Sequence, residues 1–174
     1  MQSRFFLIPA AALTISVPAH AAVYMGVDEA QALMFPGETL TPHSVDLTDA
    51  QVSAIENASD TDVLSKNLKA WKASSGGWFI VDQVVGKHEF IPIALALDTN
   101  GAVKDVEILE YRESYGDEVR NPKWRAQFTG KQNGATMRLT EDIQNISGAT
   151  LSSKHITDGV RRLLATHAII LAGH

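Results

Sequence analysis

The sequence predicts an α+β domain: an antiparallel sheet packed against a C-terminal helix, with an N-terminal helical extension. Three observations carry this. From Trp78 to Tyr111 the chain holds three runs rich in β-branched and aromatic residues, and Asn100-Gly101 between two of them is a strong hairpin signal. Near the C-terminus, Ile156, Val160, Leu163, Leu164, Ala168 and Leu171 fall along one helical face, with Lys154, Asp158, Arg161 and Arg162 off it. Before the strands, apolar spacing is mainly helical until Ser74-Ser75-Gly76-Gly77 interrupts it. Hairpins followed by a terminal helix favour an antiparallel sheet over a parallel, doubly wound one.

Taken in order, the chain opens with Arg4, an apolar run from Phe5 to Val17, and Ala19-His20-Ala21. A basic start, a short apolar core and a small-x-small site read as a secretory signal over residues 1–21, cleaved after Ala21. The apolar run is shorter than the roughly 20 residues a spanning helix needs, and Pro9 and Pro18 break it up. No twin-arginine pair is present, so export is expected by the general route, unfolded, and any cofactor joins the chain outside the cytoplasm. Residues 22–75 form the helical extension. Asp28–Leu33 reads as a short helix ended by Pro36-Gly37, and Glu38–Val45 as extended chain. Thr48–Glu56 reads as a second helix, with Thr48-x-x-Gln51 as a capping box. Asp60–Trp71 leans to helix, because Val63, Leu64, Leu68 and Trp71 recur at helical spacing.

The main domain is expected over residues 76–174. Trp78–Val85, Ile91–Leu97 and Val103–Tyr111 are strands, and Phe128–Leu139 holds another turn and a short strand. The terminal helix runs from about Ser152 to Leu171. No second stretch is apolar enough to span a membrane, so a soluble mature protein is expected.

Composition narrows the chemistry. The formal charge of −5 moves to −6 without residues 1–21, since Arg4 is the only charged residue there. An acidic chain with scattered Lys and Arg is a poor nucleic-acid binder. There is no cysteine, which excludes disulfides, thiolate catalysis, cysteine-ligated iron–sulfur clusters and c-type haem. His43, His88, His155, His167 and His174 show no usual metal spacing with a third ligand.

The informative segment is Ile146-Ser147-Gly148-Ala149-Thr150-Leu151-Ser152-Ser153, immediately before the terminal helix. Gly148 permits a positive φ or a close backbone approach. Ala149 adds little bulk, and several hydroxyls cluster where free N–H groups and the helix dipole favour an anion. The residues alone leave two readings open: a phosphate site, or a set of hydroxyls that only cap the helix.

The string Ser-Gly-Ala-Thr-Leu-Ser-Ser resembles the flavinylation motif of the FMN-binding domain family. That family includes the G subunit of the Rnf complex and the C subunit of the sodium-translocating NADH:quinone reductase. Upstream, Gly76-Gly77-Trp78-Phe79, Leu97-Asp98-Thr99-Asn100-Gly101, Glu113-Ser114-Tyr115-Gly116 and Trp124-Arg125-Ala126-Gln127-Phe128 are similar to further family segments, in the right order, so that the likeness covers roughly residues 76–166. The resemblance implies an exported, periplasmic electron carrier with FMN esterified through its phosphate to Thr150 by a separate flavin transferase. It implies flavin contacts from Ser147, Gly148, Ala149, Leu151, Ser152, Glu113 and Ser114, and redox partner proteins, membrane-bound ones among them. No catalytic residue and no metal are expected. The alternative is a noncovalent or flavin-free structural or sensory module of a membrane redox complex.

Two positions depart from the family pattern. Gln144 stands three residues before the motif Ser147, where the family usually has Asp, and it cannot supply a negative charge. Tyr115 replaces the expected Pro and offers a ring able to stack on a flavin. Asn133-Gly134-Ala135-Thr136 repeats Gly-Ala-Thr but lacks the following Ser-Ser and the helix, and reads as a hairpin turn. His155 lies near Thr150 but reads as a solvated helix position. Trp78 and Trp124 are candidate neighbours of a flavin, with core packing expected of at least one.

Overall fold

The computed structural model describes residues 22–174. The expected signal segment, residues 1–21, lies outside them. Among the described residues, no helix is long and apolar enough to cross a membrane.

The central element is an antiparallel sheet in the order β2 (Leu40–Pro42), β4 (Asn67–Ala73), β5 (Trp78–Val85), β6 (Phe90–Leu97), β7 (Val103–Ile108), with β3 (Val45–Asp46) also pairing with β4. A two-residue strand β1 (Ala22–Val23) pairs with β8 (Glu110–Tyr111). The hairpin expected at Asn100-Gly101 joins β6 to β7, and a register shift at Ala96/Leu97 sets Leu97 opposite Val103.

Both faces of the sheet are covered, and β6 shows how its sequence permits this. Ile91, Ile93, Leu95 and Leu97 point to one face and join the core formed with Ile156, Val160, Leu163 and Leu164 of helix α4 (Thr150–Thr166) and Ile55 of α2 (Asp49–Ser59). Ala94 and Ala96 point the other way, against Ala30, Met34 and Phe35 at helix α1 (Val27–Met34) and against Phe79. Large residues on one face and small ones on the other let helices pack on both sides of one strand.

The capping box at the start of α2 is present: Thr48 Oγ1 accepts from the Gln51 N–H at 3.3 Å, and Gln51 Oε1 accepts from the Thr48 N–H at 2.9 Å. Helix α4 is held close to the sheet at Gly159, where a Cβ would lie 2.3 Å from Val84 Cγ1. It is also tied down by Arg162, which reaches Asp82 Oδ2 at 2.7 Å and the Gln83 and Asp62 carbonyls at 2.8 and 2.7 Å. After Thr166 the helix widens into a π-helical turn over His167–Leu171.

Two local expectations are corrected. The helix expected over Asp60–Trp71 is instead a bend followed by β4, whose Leu68 and Ala70 alternate into the core while Asn67 and Lys69 face outward. The period-2 pattern Asn-Leu-Lys-Ala-Trp-Lys-Ala prevails because both edges of β4 are paired. Residues 22–75 thus supply two helices and also three strands of the sheet. The short strand expected within Phe128–Leu139 is absent: the segment is turns, with one bridge from Leu139 to Ile143. Its Gly134 sits in a turn at φ +83°, but no hairpin forms around it. Trp78 is a core residue, 2% exposed, in edge contact with His43.

Candidate functional site

One cleft of about 410 Å³ is lined by Lys87, His88, Glu113, Ser114, Tyr115, Gly148, Ala149, Thr150, Leu151 and Ser152. Three chain segments far apart in sequence meet there: the tip of the β5–β6 hairpin, the loop after β8, and the first turn of α4. Its volume lies in the range of small-molecule sites.

The floor is a helix N-terminus that no side chain satisfies. Gly148, at φ +84°, turns the chain in a conformation that disfavours a side chain. Ala149 is the N-cap, and among the described residues no side chain caps the helix. Its first N–H groups and the positive end of its dipole are therefore available to an anion. The hydroxyls near it do not cap it. Ser152 is 5% exposed and its Oγ lies 2.8 Å from the Tyr111 hydroxyl. That hydroxyl donates to the Tyr115 carbonyl at 2.6 Å, so Ser152 is the donor in the first pair. Burial raises the Tyr111 phenol above its ordinary value, keeping it protonated to donate, although the Ser152 bond acts in the other direction. Ser153 Oγ is buried without a partner among the described residues. Thr150 is exposed at the rim, and its Oγ1 accepts from Asn145 Nδ2 at 3.0 Å.

The wall opposite is built by Glu113. Its Oε1 accepts from the N–H groups of His88 at 2.6 Å and Glu89 at 3.0 Å. Gly86 is required beneath it, since a Cβ there would lie 2.4 Å from the same oxygen. Partial burial, the largest single effect, opposes ionisation of Glu113, but the N–H groups of His88, Glu89 and Lys87 together outweigh it and hold the carboxyl below its ordinary value. The carboxylate thus stitches the hairpin tip to the Glu113 loop. Gly116, at φ +98°, lets that loop approach the motif: a Cβ would lie 2.5 Å from the Tyr111 hydroxyl and 3.0 Å from Ala149 Cβ.

Of the residues expected at the site, Gly148, Ala149, Thr150, Leu151, Ser152, Glu113 and Ser114 line this cleft together, while Ser147 is exposed and outside the lining. Tyr115 stands at the mouth, 84% exposed, and Leu151 is 46% exposed. Lys87, which brings positive charge, and His88 carry no local motif. Only their place at the tip of a hairpin, between Gly86 and Glu89, marks them. His155 is half-buried, off the cleft, with Nδ1 unpartnered among the described residues. Trp124 is 6% exposed and borders a neighbouring groove with Gln144 and Asn145. Thr136 lies on another groove, with Ala58, Ser59 and Arg161, and does not line this cleft.

A cleft with an open helix N-terminus, Lys87 and an apolar rim suits an anionic small molecule with an apolar part. Residues 86–165 match the model of the FMN-binding domain family, and the chain carries a domain of that family, with FMN as its cofactor. The match begins at Gly86 under the Glu113 clamp and ends within α4, so it spans every wall of the cleft. No curated protein matches the chain.

The residues present suit that group. The uncapped N-terminus at Ala149 fits a phosphate, Lys87 adds charge to the same cleft, and Tyr115 and Leu151 offer apolar surface to a ring. Among the described residues, no cluster of three or more His, Asp or Glu is arranged to hold a metal ion.

Proposed function

We propose that this protein is an exported electron carrier whose FMN is attached through its phosphate to Thr150 Oγ1. One observation carries the reading: the Thr150 hydroxyl is exposed at the rim of the cleft, on the first residue of a helix whose N-terminal N–H groups no side chain caps. A phosphoryl group joined there lies where the helix dipole favours it. Thr136, in the second Gly-Ala-Thr, has no helix behind it.

FMN, when bound, supplies one- and two-electron chemistry. The chain's residues hold, orient and leave it accessible. Covalent attachment makes retention independent of affinity, so the cleft can be shallow. That suits a carrier in a compartment where free flavin would be lost by dissociation, and a ring held against the exposed Tyr115 and Leu151 would stay open to partner proteins. Glu113 is engaged by backbone amides and so is not a free acid or base in the cleft, which favours electron transfer over a substrate-specific reaction. A flavin transferase attaches the group after export, and redox partners, membrane-bound ones among them, give and take the electrons.

Acid precipitation tests the attachment. Protein made in an exporting host together with a flavin transferase is expected to keep its yellow colour in the precipitate. Colour released wholly into the supernatant would show noncovalent FMN and overturn the ester.

A further inference from the structure

Thr150 does not stand alone at the rim. Three hydrogen bonds close a ring beside it. Trp124 Nε1 donates to the Gln144 carbonyl at 2.7 Å, the Gln144 N–H donates to Gln127 Oε1 at 2.7 Å, and Gln127 Nε2 donates to the Trp124 carbonyl at 2.9 Å. Trp124 is rooted in the core by edge contact with Phe128, at 5.3 Å between ring centroids. Both polar groups of the Gln144 backbone are thereby fixed. Asn145 leaves from this fixed point, and its Nδ2 donates to Thr150 Oγ1 at 3.0 Å.

We propose that Asn145 is a positioning residue for the attachment of FMN, holding the Thr150 hydroxyl in one orientation while the Trp124–Gln127–Gln144 ring holds Asn145. This rests on reading Thr150 as the attachment residue. A threonine hydroxyl otherwise samples more than one staggered position. The bond from Asn145 occupies one lone pair of Oγ1 and leaves the other, and the O–H proton, free. In the transfer, the bond from Oγ1 to the phosphorus of an activated FMN phosphoric anhydride forms. The bond from that phosphorus to its leaving group breaks, the leaving group takes the electron pair, and the hydroxyl proton passes to the transferase or to water. Asn145 neither gains nor loses a proton. The side chain at the hydroxyl is therefore the amide of residue 145, and residue 144, where the family usually carries its acid, contributes through its backbone.

The test uses the exported protein, a purified flavin transferase and its anhydride donor, following the gain of FMN by intact mass at several protein concentrations. Asn145→Ala is expected to lower kcat of labelling about tenfold, the scale of one lost hydrogen bond, with KM and the thermal midpoint unchanged. Asn145→Asp is expected to recover most of the rate, because a carboxylate of the same shape accepts the hydroxyl proton and keeps Oγ1 in place. A wild-type kcat in Asn145→Ala, a change confined to KM, or an Asn145→Asp as slow as Asn145→Ala would overturn the proposal. A wild type that gains no mass beside an active transferase would instead overturn the reading of Thr150 itself.

Discussion

Glu113 turns its carboxylate inward, onto the amides of the Gly86–Glu89 turn, and so shapes the cleft without offering charge to it. Its folded value is depressed below the ordinary 4.5. The sign follows: the stabilisation is fully present above the ordinary value and is lost as pH falls through the depressed folded one. Hydrogen-exchange protection of the His88 and Glu89 amides, corrected for intrinsic rates, is expected to hold above the ordinary carboxyl value of 4.5 and to drop as the solution is made more acidic than that. Glu113→Gln, which keeps a carbonyl acceptor but cannot titrate, is expected to abolish that acid step. Protection that stays flat on such acidification, or an unchanged step in Glu113→Gln, would contradict the clamp. The resemblance named Glu113 as a site residue. Its bonding to the hairpin tip was not legible, because the partners are backbone amides whose residues, His88 and Glu89, have no sequence signature for that contact.

At the scale of the element, helix α4 sets where Thr150 stands relative to the hairpin tip, and Gly159 sets how closely α4 meets the sheet. Gly159→Ala gains about 1 kcal/mol in helix propensity, but its Cβ would lie 2.3 Å from Val84 Cγ1. Overpacking of this kind costs about 1–3 kcal/mol, so a net loss of stability is expected in urea unfolding. The double variant Gly159→Ala, Val84→Ala is expected to show favourable coupling, since the second change removes the clashing methyl. A more stable single variant would show that the approach at Gly159 is not tight. The apolar stripe of α4 was plain in sequence because its period is unbroken. Arg162 lay off that stripe yet is 3% exposed, since Asp82 and the Gln83 carbonyl of β5 and the Asp62 carbonyl before β4 receive it. β4 misled for a related reason: Val63, Leu64, Leu68 and Trp71 imitate a helical face, and β2 and β3, which pair with one edge of β4, are only three and two residues long.

For the whole molecule, the likeness read from Ser147-Gly148-Ala149-Thr150 and the fold converge. Segments around residues 87, 113 and 150 are brought into one cleft by a sheet whose hairpins were legible and by loops whose mutual approach was not. The approach depends on single contacts such as the Tyr111 hydroxyl between Tyr115 and Ser152, which leave no pattern in a sequence. Thr150→Ala removes the oxygen proposed to carry FMN, and as an exposed substitution it should change stability by only about 0.5 kcal/mol. The most direct measurement is the intact mass of the exported protein, made with a flavin transferase, for the wild type, Thr150→Ala, Thr150→Ser and Thr136→Ala. The account predicts chains beginning at Ala22 that carry one FMN less water in the wild type and Thr136→Ala, partial addition in Thr150→Ser, and none in Thr150→Ala. FMN retained on Thr150→Ala, or no added mass on the wild type beside an active transferase, would contradict it.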